Sequence, residues 1–74
     1  MNILVVDAQG GGIGKQLVSS IKQSINGAKV WAVGTNVAAT TAMLKAGADQ
    51  ASTGENAVVV AVRKADVIVG PIGI

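Results

Sequence analysis

The chain contains no cysteine and no histidine. Disulfides, zinc sites built on those residues, thiol nucleophiles and imidazole bases are all excluded from its chemistry. Tyrosine and phenylalanine are missing too, and Trp31 is the whole aromatic complement. With no His, Cys or Tyr to move protons and only four carboxylates, an enzyme is the weakest of the function classes open to it. No residue stands out as catalytic, and no cluster has metal-ligand spacing.

Charge is sparse as well. Six basic and four acidic residues leave a net charge of +2, so an isoelectric point near 9.4 reflects few charges rather than a basic stripe. Lys15, Lys22, Lys29, Lys45, Arg63 and Lys64 are scattered and lack the aromatic interleaving of nucleic-acid readers, so no nucleic-acid partner is expected. The longest apolar run, residues 57–62, is far too short to span a bilayer. The N-terminus lacks a basic leader region and sets Asp7 where an apolar leader would have to continue. The expected location is the cytoplasm, with no membrane partner.

Half of the residues are hydrophobic, and the mean hydropathy is +0.54. Seventy-four residues make a single small domain, 1–74. A chain of this length buries only about 60% of the surface its unfolded form exposes. Apolar surface in this amount is therefore expected to be covered by another subunit or a further segment, and a homo-oligomer is expected.

Residues 3–6 form a continuous β-rich run suited to a parallel strand buried on both faces. After a glycine cluster, Ile13, Leu17, Ile21 and Ile25 recur at every fourth position, with Lys15, Ser19, Lys22 and Gln23 on the other side. This predicts a first helix, stopped by Asn26-Gly27. Residues 30–33 read as a second strand. Thr35 or Asn36 then caps a second helix running to about Ala46, with Gly47 as its left-handed terminator. A very short third strand is expected within residues 48–52. Ser52 and Glu55 have the spacing of a capping box for a third helix starting near Thr53. Residues 57–62 are valine-rich and favour a strand by propensity. The polar flanks Glu55, Asn56, Arg63 and Lys64, and the need for a crossover, predict a helix there instead. Residues 67–69 form the last strand. The pattern βαβαβαβ with right-handed crossovers predicts a parallel sheet ordered 3-2-1-4 in a three-layer α/β/α, Rossmann-like arrangement.

The motif that carries chemistry is Gly10-Gly11-Gly12-Ile13-Gly14-Lys15, where a strand hands over to a helix. Such a junction gathers free N–H groups at the positive end of a helix dipole, and glycine lets an anion approach the backbone. It matches no template fully. The dinucleotide pattern G-x-G-x-x-G finds Gly11 and Gly14 but Gln9 in first place, and the spacing G-x-x-x-G-x-G finds Ala8 there. The P-loop pattern finds Gly14-Lys15 but fails at Gln9 and Gln16, and Gln16 has no hydroxyl for Mg²⁺. Nucleotide or phosphate binding stands beside a second reading, a tight turn with close strand–helix packing.

The end of the second strand carries Gly34-Thr35-Asn36, with no acid to hold a ribose 2′-hydroxyl, so NAD is disfavoured. NADP or another phosphate-containing ligand stays open. Thr35 and Asn36 either donate to such a ligand or cap the second helix. Glu55 and Asn56 are capping residues first and ligand contacts second, and Gly70 borders the crevice beside the first strand. Lys15 either pairs with phosphate or is solvated. Asp7 either holds a metal or ribose or satisfies the amides of the turn. Trp31 and Met43 are core or interface residues. The candidate ligand-binding set is thus Gly10, Gly11, Gly12, Ile13, Gly14, Lys15, Thr35, Asn36, Glu55, Asn56 and Gly70.

Taken together, residues 7–15, 34–36, 43–48, 53–56 and 65–74 resemble one bacterial family of small Rossmann-like proteins known as a domain of unknown function. The resemblance spans essentially the whole chain. It implies that the chain corresponds to the N-terminal part of a longer protein, and it carries no established activity. The leading reading is a cytoplasmic module that binds a nucleotide or other phosphorylated small molecule over residues 10–14. An oligomeric structural or regulatory module without ligand is the alternative, and part of an oxidoreductase or ATPase is the third.

Overall fold

The computed structural model describes residues 1–7 and 12–70. The element order is β1 (Asn2–Asp7), α1 (Gly12–Ser24), β2 (Lys29–Gly34), α2 (Val37–Lys45), β3 (Gln50–Thr53), α3 (Glu55–Val62) and β4 (Val67–Val69). The four strands form one parallel sheet ordered β3-β2-β1-β4. This is the Rossmann-like α/β topology expected from the sequence. Residues 57–62 are helical despite their valines, because a parallel β3-to-β4 connection needs a crossover element.

Strand β1 lies at the centre, and its alternate residues serve two cores. Ile3 and Val5 face α1 and α2, packing with Val18, Val30, Ala32, Ala39 and Met43. Leu4 faces the other way and packs with Val33 and Ala61 beneath α3. Helix α1 departs from the expected pattern in one respect. Its buried residues are Gly14 and Val18, with Leu17 and Ile21 partly buried, while Ile13 and Ile25 at its two ends are exposed. Four residues turn an α-helix through about 400°, so a row spaced strictly by four drifts around the cylinder and leaves the core at its ends.

Helix α2 is capped by Asn36, whose Oδ1 accepts from the Ala39 N–H at 2.8 Å. Gly47, at φ +117°, turns the chain beyond its end, as expected. The expected capping box at α3 does not form. Ser52 is still within β3, and its Oγ accepts from Trp31 Nε1, while Gly54 begins the helix with no side-chain cap.

Two aspartates set the sheet register in the same way. Asp49 N–H donates to the Val30 carbonyl at 2.9 Å, and its Oδ2 accepts from the Val30 N–H at 2.8 Å. Asp66 repeats this on β1, with its N–H to the Asn2 carbonyl at 2.8 Å and its Oδ2 accepting from the Asn2 N–H at 2.7 Å. Each carboxylate thus extends the ladder by one bond where an edge strand begins. The two sit in the repeated dipeptides Ala48-Asp49 and Ala65-Asp66. Lys22 adds a tie from α1, with Nζ 2.9 Å from Asp49 Oδ2 and 3.0 Å from the Ala28 carbonyl.

The Val30 N–H and then Lys22 hold the Asp49 carboxyl below the usual carboxylate range. A folded pKa below the unfolded value stabilises fully above about pH 4 and loses that contribution as pH falls through the folded value. Asp49→Asn is expected to be less stable than the wild type at pH 7, with the gap narrowing below about pH 4. Denaturant unfolding at stepped pH reads this out, and a gap constant with pH contradicts the clamp.

Candidate functional site

Because every strand is parallel, all four carboxyl ends lie along one edge of the sheet. That edge gathers Asp7 and the start of α1, the Gly34-Thr35-Asn36 turn, the start of α3 at Glu55 and Asn56, and Gly70 after β4. Gly10 and Gly11 lie outside the described residues. Lys15 is brought elsewhere. It is exposed on the flank of α1 and lines a shallow groove with Ala38, Thr41, Ala42 and Lys45 against α2.

Asp7 organises this edge. It is fully buried, and its Oδ2 accepts from the Gly14 N–H at 2.9 Å. A buried acceptor left without a donor costs about 1–3 kcal/mol, so the Gly14 N–H helps to hold Asp7 in its seat. The bond to the Gly14 amide is a turn-stabilising contact, one of the two roles open to Asp7. Asp7, Thr35 and Asn36 each make further polar interactions. The Gly14 amide is therefore already engaged.

Three of the described glycines here differ in what they do. A Cβ at Gly14 would lie 2.5 Å from Asp7 Oδ2 and 2.7 Å from Met43 Sδ, so a side chain there collides with the seat of Asp7. A Cβ at Gly70 would run into the Val6 carbonyl, so β4 ends flush against β1. Gly12 is the opposite case. Among the described residues nothing lies within 4 Å of where its Cβ would be, and its φ is not in the left-handed region.

Backbone bonds tie the neighbouring turns together. Thr35 N–H donates to the Asp7 carbonyl at 3.2 Å, and Gly54 N–H to the Gly34 carbonyl at 2.9 Å. The hydroxyls of Thr40 and Thr53 lie 2.9 Å apart, joining α2 to the end of β3. That pair and the two aspartate clamps were not anticipated from motifs. The recurrence of Ala-Asp before β3 and β4 is the one signal that pointed to the clamps.

A family model described as a domain of unknown function, DUF3842, matches residues 2–74. The chain belongs to this family. No curated protein and no solved structure matches the chain. Family membership agrees with the expected domain of unknown function, and it assigns no activity. No group of three or more acidic residues capable of holding a metal occurs among the described residues. No helix among them is long and apolar enough to cross a membrane.

Gly14→Ala is expected to cost about 1–3 kcal/mol of folding stability, the usual range for overpacking. Gly12→Ala is expected to be neutral or stabilising, since alanine is the better helix former and the space is open. Chemical denaturation of the two variants checks the contrast. Equal effects contradict the seat described for Asp7.

Proposed function

We propose that this domain binds a nucleotide or other phosphorylated small molecule at the carboxyl edge, with the phosphate at the start of α1. The single observation that carries this reading is Gly12. Gly12 opens α1, and nothing among the described residues requires its missing side chain. An anion approaching the first turn of α1 gains room from that absence, and the opening amides of a helix have no partner within the helix.

Topology supports the same place. Ligands of open α/β sheets collect at the switch point of strand order, which here falls between β1 and β4. Gly70 and the Gly34-Thr35-Asn36 turn flank it. The Gly14 amide serves Asp7, which favours Gly12 and Ile13 as the phosphate donors in this reading and leaves Lys15, on the α2 flank, a lesser contact. NADP and other phosphate-bearing nucleotides are the probes of choice.

A ligand at 100 times its dissociation constant adds about 2.7 kcal/mol, which shifts the melting point of a domain this size by on the order of 10 °C. A thermal-shift series over ATP, NADP, NAD and inorganic phosphate is expected to find at least one stabilising ligand. Gly12→Val is expected to stay folded and lose that shift, since the side chain fills only the space of the phosphate. No shift for any probe with the wild type removes the proposal and favours the ligand-free oligomeric module, the reading that the exposed valines of α3 support.

A further inference from the structure

At the amino edge, the opposite end of the strands from the proposed phosphate site, the end of α3 and the sheet enclose a cleft of about 340 Å³. That volume falls at the small end of the range of ligand sites, about 300–1,000 Å³. Alternation along the strands decides which side chains reach it. Leu4 on β1 and Trp31 on β2 lie on the α3 side, and Lys29, two residues before Trp31, shares their face. Gln50 is level with Trp31 on the neighbouring strand. Leu4 and Ala61 are buried, and Ala65 packs against them, so the floor is apolar. Trp31 is half-buried beside it. The one polar atom of its side chain, Nε1, donates to Ser52 Oγ at 3.2 Å. The ring is therefore held in place, and what it offers the cleft is carbon.

The rim of the cleft is cationic. Lys29 and Lys64 both line it, and both are exposed. Among the described residues the one ion pair is Lys22–Asp49, so neither of these ammonium groups has a carboxylate partner there. Asp49 also borders the cleft. Its Oδ2 is engaged by the Val30 N–H and by Lys22, which comes from α1 on the opposite face of the sheet. Asp66, next to Ala65, gives its Oδ2 to the Asn2 N–H. Both aspartates of this edge thus serve the strand clamps, and the two lysines stand at the mouth of an apolar hollow. Charges beside such a low-dielectric surface attract a counter-ion more strongly than they would in open water.

We infer that this cleft is a second binding site, for a small aromatic carboxylate whose ring lies against Trp31 and whose charge pairs with Lys29 and Lys64. A flat ring beside Trp31 gains an aromatic contact on top of the apolar area it buries. The carboxylate supplies the negative charge that Asp49 and Asp66 do not give these lysines. A second copy of the chain brings neither phenylalanine nor tyrosine to fill the hollow, and its one tryptophan already lines the same cleft. Inorganic phosphate has no apolar body, so it gains only the exposed ion pairs, which are worth little by themselves. The volume suits a molecule of one or two rings, so this site and the phosphate site at the carboxyl edge take different ligands.

The indole N–H of Trp31 is the only one in the chain, so a single NMR signal reports on the cleft. Titrating the ¹⁵N-labelled protein with benzoate is expected to shift that signal and the Lys29 and Gln50 amides saturably, with a dissociation constant in the millimolar range that a ligand of this size reaches. Benzamide has the same shape without the charge, and acetate has the charge without the ring. Each is expected to bind about fivefold more weakly or worse. Lys29→Gln combined with Lys64→Gln changes only exposed positions, and it is expected to reduce benzoate binding to the level of benzamide. Lys45→Gln removes an exposed charge on α2, across the sheet, and is expected to leave benzoate binding unchanged. Raising the salt concentration is expected to weaken benzoate and spare benzamide, a readout that needs no variant. A Trp31 signal that fails to saturate with benzoate overturns the inference. So does benzamide binding as tightly as benzoate, benzoate binding that salt does not weaken, or a folded double variant that binds benzoate as the wild type does.

Discussion

The buried carboxylate of Asp7 at the start of α1 is the constraint on which the carboxyl edge depends. It ends the central strand, so it is fixed by the best-packed element of the sheet, and it holds the first helix through the Gly14 amide. Gly14 must lack a side chain for this seat to exist, and Met43 from α2 closes it from the other side. One glycine of the cluster is thereby explained by packing alone. The other described glycine of that turn, Gly12, has no such explanation among the described residues. A glycine cluster always offers two readings, close packing and close approach of a ligand; packing accounts for Gly14, and the proposed function gives the second to Gly12.

The amino edge works by another logic. There the strands begin, and Asp49 and Asp66 each bond both backbone groups of one residue on the neighbouring strand. Parallel pairing between strands distant in sequence is entropically expensive to form, and β4 has only three residues with which to specify its partner. A side chain that extends the ladder compensates for that short length. The sheet is pinned at the amino edge, opposite the turns of the carboxyl edge.

Much of this was legible in the sequence. Strand order, the helical state of residues 57–62 and the Gly47 terminator followed from apolar runs, crossover length and glycine placement. Asn36 as the cap of α2 was one of two residues that the same reading allowed. The row Ile13, Leu17, Ile21 and Ile25 marks the helix, but the true period of 3.6 carries both of its ends away from the core. Ser52 had the spacing of a cap but sits in a strand, where tertiary contact with Trp31 decides its partner. The role of Asp7 stayed open in the sequence, because turn stabilisation and ligand binding call for the same residue at the same place. The aspartate clamps join residues 19 and 64 positions apart, a separation that no local motif encodes.

The central claim is that the carboxyl edge holds one amide set for the protein itself, at Gly14, and another for a phosphate, at Gly12 and Ile13. Titrating the ¹⁵N-labelled protein with inorganic phosphate and then with NADP, while following every backbone amide by NMR, tests this directly. The account predicts shifts that saturate at Gly12 and Ile13 and extend to the Thr35 and Gly70 turns, with the Gly14 amide slow to exchange before and after ligand is added. Saturating shifts confined to the amino edge around Lys29 and Lys64, or no saturable shift at any phosphate-bearing probe, would contradict it.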